Sequence, residues 1–99
     1  MSTLHVLSHS PFTDNRLDSC LRLLSVSDGL LLTGDAVYAL QPGTAPLSQL
    51  QERADSLQLF VLEEDVQARG LPVPQWIKCL DYPAFVEQSV AYDKVNSWL

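Results

Sequence analysis

The stretch Gly29-Leu-Leu-Leu-Thr-Gly-Asp-Ala-Val-Tyr-Ala-Leu40 constrains the fold more than any other part of the chain. Leu30, Leu31 and Leu32 form an unbroken apolar run between Asp28-Gly29 and Gly34-Asp35, the pattern of a short strand covered on both faces. Such a strand needs helices above and below it. Gly34 permits a sharp turn where the strand ends, and Asp35 is placed to accept a hydrogen bond from the free N–H groups that open a helical segment over 36–40. In open parallel sheets this carboxyl end is where ligands and partners are met.

The flanking chain repeats the alternation. Residues 3–7 carry Leu4, Val6 and Leu7 and predict a first strand, followed by a polar loop with Pro11 over 8–12. Thr13-Asp14-Asn15 supplies N-cap chemistry, and Leu17, Cys20, Leu21 and Leu24 then recur at helical spacing until Ser27-Asp28-Gly29. After the turn-rich 41–46, Ser48 and Gln51 read as a capping box, with Leu47, Leu50, Ala54 and Leu57 as the apolar face of a helix. Residues 59–62 predict a third strand, Glu63-Glu64-Asp65 the acidic first turn of a short helix, and Gly70 its stop. Pro72 and Pro74 force an extended connection to a fourth strand over 77–81. Pro83 suits the first position of a last helix, packed by Phe85, Val86, Val90 and Val95, with Trp98 and Leu99 closing the chain. Strands alternating with helices predict an α/β fold with three α/β/α layers and a mostly parallel sheet.

Ninety-nine residues, 46% of them hydrophobic, suffice for one domain over 1–99 with one core. The formal charge of −6 leaves six basic residues, Arg16, Arg22, Arg53, Arg69, Lys78 and Lys94, scattered along the sequence. Direct nucleic-acid binding needs them concentrated, so none is expected. No apolar run approaches a membrane span, and Met-Ser-Thr-Leu-His lacks the basic start of a signal peptide. Two cysteines without short-range pairing fit a reducing compartment. A cytoplasmic protein with no membrane contact is the expectation.

Few residues offer chemistry. Cys20 is either a persulfide or redox thiol on the first helix, or a small hydrophobe in the stripe between Leu17 and Leu24; helical periodicity favours the second. Cys79 lies inside a predicted strand with nothing to lower its pKa and is expected to be structural. Asp35, Glu63, Glu64, Asp65 and Asp81 share the carboxyl edge of the sheet. They would suit a hard cation, but helix capping accounts for each, so no metal and no cofactor is expected. No basic residue stands out as a phosphate partner. His9 in the loop is expected to bond backbone, and His5 to lie on the strand surface or against a partner; no Ser-His-Asp order, Walker A loop, G-x-G-x-x-G or H-E-x-x-H is present. What remains is apolar surface: Trp76, Val90, Tyr92, Val95, Trp98 and Leu99 favour an oligomeric interface over an enzymatic cleft.

Several segments together resemble the TusB/DsrH family. They are Leu4-His5 with Ser10-Pro11-Phe12, the leucine run leading into Asp35-Ala-Val-Tyr-Ala-Leu40, Asp65-Val-Gln-Ala-Arg-Gly-Leu71, Asp81-Tyr82 with Phe85-Val86, and the terminal Trp98-Leu99. The resemblance implies a DsrE/DsrF/DsrH-like fold and a place in a sulfurtransferase complex with two homologous subunits, TusC and TusD or their DsrF and DsrE counterparts. In the Tus branch that complex relays persulfide sulfur from TusA toward TusE for 2-thiolation of tRNA wobble uridine; in the Dsr branch it serves dissimilatory sulfur oxidation. The family's catalytic cysteine belongs to the TusD/DsrE subunit, and no cysteine occurs here over 62–70. Cys20 matches a position that is cysteine in DsrH-type members, which implies at most an accessory sulfur acceptor. The resemblance thus implies a structural subunit of a heterohexamer, not an enzyme by itself.

Overall fold

The leucine run forms β2 (Gly29–Leu32), a strand with all four residues buried. A computed structural model, which describes residues 2–98, surrounds it with β1 (Thr3–Leu7), β3 (Gln58–Leu62), β4 (Lys78–Leu80) and β5 (Lys94–Trp98). These make one sheet in the order β4-β3-β2-β1-β5, and every pairing is parallel. The intervening helices are α1 (Arg16–Leu23), a 3₁₀ helix (Gly34–Leu40), α2 (Ala45–Glu52), α3 (Glu63–Arg69) and α4 (Tyr82–Ala91). The α/β expectation is met.

Strand alternation divides the core in two. Leu7, Leu30, Leu32, Leu59 and Val61 pack with Leu17, Cys20 and Leu21 of α1, with Val37, Ala39 and Leu40 of the 3₁₀ helix, and with Leu50 and Val66. Leu4, Leu31, Phe60 and Leu80 point the other way and are packed by the partly buried Val6, Ala84, Phe85 and Tyr92. The chain steps outward from β1 to β4 in one direction and then returns under α4 to the free side of β1. With all crossovers of one hand, that reversal carries α4 to the opposite face. The molecule therefore has three layers, one of which is a single helix.

The local signals were met unevenly. Gly70 adopts a left-handed φ of 62° and closes α3, with the N–H of Leu71 donating to the Val66 carbonyl. Asp81 caps α4, accepting from the N–H of Ala84 at 2.9 Å, with Pro83 in the first turn. The capping box is not used: α2 begins at Ala45 behind Thr44, so Ser48 sits inside the helix, and Pro46 in the first turn accounts for the earlier start. Ala54 and Leu57 consequently lie beyond α2. The segment after Gly34 is 3₁₀, with Ala36 N–H donating to the Thr33 carbonyl.

The largest departure is β5. Val95 does not pack a helix; residues Lys94–Trp98 pair with β1 from Thr3↔Lys94 to Leu7↔Trp98. The two strands are clamped at their amino ends, where Ser2 N–H donates to Asp93 Oδ2 at 2.9 Å and Lys94 N–H to the Ser2 carbonyl at 3.1 Å. Leu99 lies outside the described residues.

Candidate functional site

The carboxyl edge of β2 and β3 carries a cluster of polar contacts. Gly34 turns with φ 51°, a left-handed value that suits glycine. Its N–H points at the first turn of α3, where Asp65 Oδ2 accepts it at 2.8 Å. Asp65 thus ties two successive strand ends together, rather than only capping its own helix. One turn on, Arg69 reaches back to the same place: its Nη2 donates to Asp35 Oδ1 at 2.8 Å and its Nη1 to the Asp65 carbonyl at 3.1 Å. The guanidinium also lies 5.6 Å from the centre of the Tyr38 ring. The hydrogen bond that Arg69 donates to Asp35 outweighs partial desolvation and, with the charges of Asp35 and Asp65, pushes the Arg69 pKa further up.

This corrects two expectations. Asp35 does not cap the segment that follows it, because Arg69 occupies its carboxylate; Thr33 is the N-cap residue, and its hydroxyl donates to the Leu7 carbonyl at 3.0 Å instead of capping the helix. Arg69, which nothing in the composition singled out, is the organising cation of the edge. The other acids are dispersed: Glu63 accepts from Gln67 Nε2 at 3.0 Å and Asp81 caps α4. Among the described residues no three His, Cys, Asp or Glu side chains come close enough to hold a metal ion.

The sulfur atoms lie elsewhere. Cys20 is completely buried among the leucines of α1 and the first core face. Burial, helped by the charge of Asp28 and only partly offset by Arg53, pushes its pKa up to about 12. A thiol in that state is almost wholly protonated at neutral pH, and the thiolate is the reactive form. Cys79 lies within edge strand β4, as expected, with its side chain exposed, and residual burial and the charge of Glu63 push its thiol up as well.

The histidines also diverge. His9 is exposed in the loop. His5 is only 7% exposed, not on the strand surface: its Nδ1 accepts from Trp98 Nε1 at 3.0 Å, and its Nε2 lies 3.5 Å from Asp28 Oδ2. Ninety-three positions separate His5 from Trp98, so no local signal announced the pair.

Two surface features remain. A cleft of about 460 Å³ opens between the loop after β1 and the start of α2, lined by Pro11, Phe12, Leu17, Thr44 and Pro46 among others. On the opposite face, α4 buries none of its own residues, and Tyr82, Val86 and Val90 stand four apart along it at 56%, 45% and 78% exposure. Trp76 and Trp98, expected on the surface, are half-buried against the larger core. Among the described residues no helix is long and apolar enough to cross a membrane.

Comparison with known proteins agrees on the kind of chain this is. The family profile described as "DsrH like protein" matches residues 9–95. The Protein TusB of Erwinia tasmaniensis is 36% identical over 97 residues, covering 96% of this chain and 99% of that one. The Protein TusB of Yersinia enterocolitica is 33% identical over the same shares. The crystal structure of the ychN protein from E. coli superposes with a TM-score of 0.75, covering 99% of this chain and 100% of that one, at 19% sequence identity. That similarity is one of fold.

Proposed function

The chain belongs to the TusB/DsrH family, and on that premise we propose that it is a subunit of a heteromeric sulfur-relay complex. The complex passes persulfide sulfur between carrier proteins, of TusA and TusE type, for 2-thiolation of tRNA wobble uridine. This chain contributes chiefly by assembly with TusC-like and TusD-like subunits in the cytoplasm. The observation that carries the proposal is α4, a helix laid over one face of the sheet that buries no residue of its own and leaves Tyr82, Val86 and Val90 outward. A row of apolar side chains four residues apart is the ridge one helix offers another, and partners of the same fold bring such helices.

The chemistry supports a supporting role. The edge cluster of Asp35, Asp65 and Arg69 is a hydrogen-bonded brace without a nucleophile. Cys20 is buried and protonated, so sulfur carriage by this chain is not required. Nor does the surface suit tRNA: Arg16, Arg22 and Arg69 face Asp14, Asp18 and Asp35, Arg53 donates to the Leu21 carbonyl, and Lys78 and Lys94 stand on the two opposite edge strands. The acidic balance instead favours contact with other proteins of the relay.

The test is reconstitution with the two sister chains. Val86→Asp and Val90→Asp should leave the isolated chain folded and abolish its co-elution with them, while a Cys20→Ser, Cys79→Ser double variant should relay sulfur at the full rate. A chain that stays monomeric in their presence, or a relay running at full speed without it, would overturn the proposal. The DsrH-type alternative, with Cys20 as an acceptor in dissimilatory sulfur oxidation, predicts a persulfide mass gain at Cys20 on treatment with a donor.

A further inference from the structure

His5 lies on β1, between β2 and edge strand β5, and on the same sheet face as Asn96 and Trp98 of β5. An indole N–H only donates, so the 3.0 Å contact from Trp98 Nε1 requires a lone pair on His5 Nδ1. The other neighbour of Nδ1 is the Asn96 amide nitrogen at 3.5 Å, also a donor. The ring proton must therefore sit on Nε2, facing Asp28 Oδ2 at 3.5 Å. Asp28 is itself fixed, accepting from the N–H groups of Thr3 at 3.0 Å and Ser25 at 3.2 Å. The result is a directional chain from the indole through the imidazole to a nearly buried carboxylate, and it joins the last strand to the first.

We propose that Trp98, His5 and Asp28 form a proton-operated latch on the carboxyl end of β5. With His5 neutral, the latch is closed. A proton added at Nδ1 places an N–H against the indole N–H, so the Trp98 bond breaks, while the imidazolium keeps Asp28 as its counter-ion and stays in the sheet. Acid thus removes the side-chain tie between Trp98 and His5, while the main-chain pairing of β5 with β1 remains. The remaining ionisable groups around this seam do not substitute for Asp28. Cys20 stays protonated within the core, Arg53 is committed to the Leu21 carbonyl, Tyr92 belongs to the opposite face, and Lys94 is exposed at the far end of β5 beside Thr3.

Nitrogen-15 NMR of the full chain tests this directly. At neutral pH His5 should be the Nε2–H tautomer and the Trp98 indole proton should exchange slowly. As His5 titrates, the Trp98 indole signal should move toward that of free indole with the same midpoint, while the β1–β2 amides keep their protection. Trp98→Phe should speed exchange of the β5 amides at neutral pH and remove the step. An Nδ1–H tautomer, a Trp98 indole indifferent to His5 titration, or a His5 that stays neutral until the whole chain unfolds would each overturn the latch.

Discussion

The two faces of the sheet are built to different standards. The first is covered by α1, the 3₁₀ helix, α2 and α3 and fills its interior with wholly buried leucines; the second is covered by α4 alone, packed through Ala84, Phe85 and Tyr92. Since stability follows buried apolar area, the first face holds the fold together. The second is left free to meet something else. Under the proposed assembly role that division has a reason, because a surface reserved for partners contributes little to folding until they arrive.

Substitutions can break or sharpen the contrast. Leu50→Ala, on the thick face, removes a fully buried side chain and should lower unfolding free energy by about 2–5 kcal/mol in urea; a loss below about 1 kcal/mol would mean that this face does not hold the fold. Gly29→Ala probes the one tight contact of the thin face, where an added Cβ would lie 2.7 Å from Tyr92 Cζ and closer still to its Oη. It should cost about 1–3 kcal/mol, and less in a Tyr92→Leu background, where the ring no longer obstructs it.

Asp28 sits at the seam between the faces. Burial raises its pKa, but the N–H groups of Ser25 and Thr3 and the nearby His5 outweigh that and hold the carboxyl below the ordinary range. A depressed carboxyl contributes stability that is complete above its unfolded pKa and vanishes as pH falls through the folded one. Asp28→Asn should therefore cost about 1–2 kcal/mol at neutral pH, and the gap to the wild type should close below about pH 4. A gap that persisted at pH 2 would place its origin in packing. Smallest of all, Val90→Ser on the exposed ridge should change the isolated chain by less than about 0.5 kcal/mol while weakening association with the sister chains. A larger loss alone would show that α4 is already fully used in folding.

The sequence made the thick face legible and much of the thin one obscure, for physical reasons. Leu30, Leu31 and Leu32 can only be a strand covered twice, and Gly70 and Asp81 mark helix ends by chemistry within three or four residues. β5 was hidden because Lys94-Val-Asn-Ser-Trp98 carries only two apolar side chains, and its partner, β1, lies at the other end of the chain. The brace at the carboxyl edge was half visible: Asp65 and Arg69 are a turn apart on α3, but Asp35 is 34 positions away and its partnership is tertiary. His5 was misplaced for the same reason, since the indole and carboxylate that bury it arrive from distant segments.

The side-by-side, same-direction pairing of β1 with β5 bears on how the molecule resists being pulled apart. A force drawing residue 2 and residue 98 in opposite directions runs along both strands, so the rungs between them are loaded together and must slide as a set. Strands running in opposite directions would open one rung at a time. Traction applied at residue 98 along the strand would have to shear this whole ladder before β5 could leave the sheet.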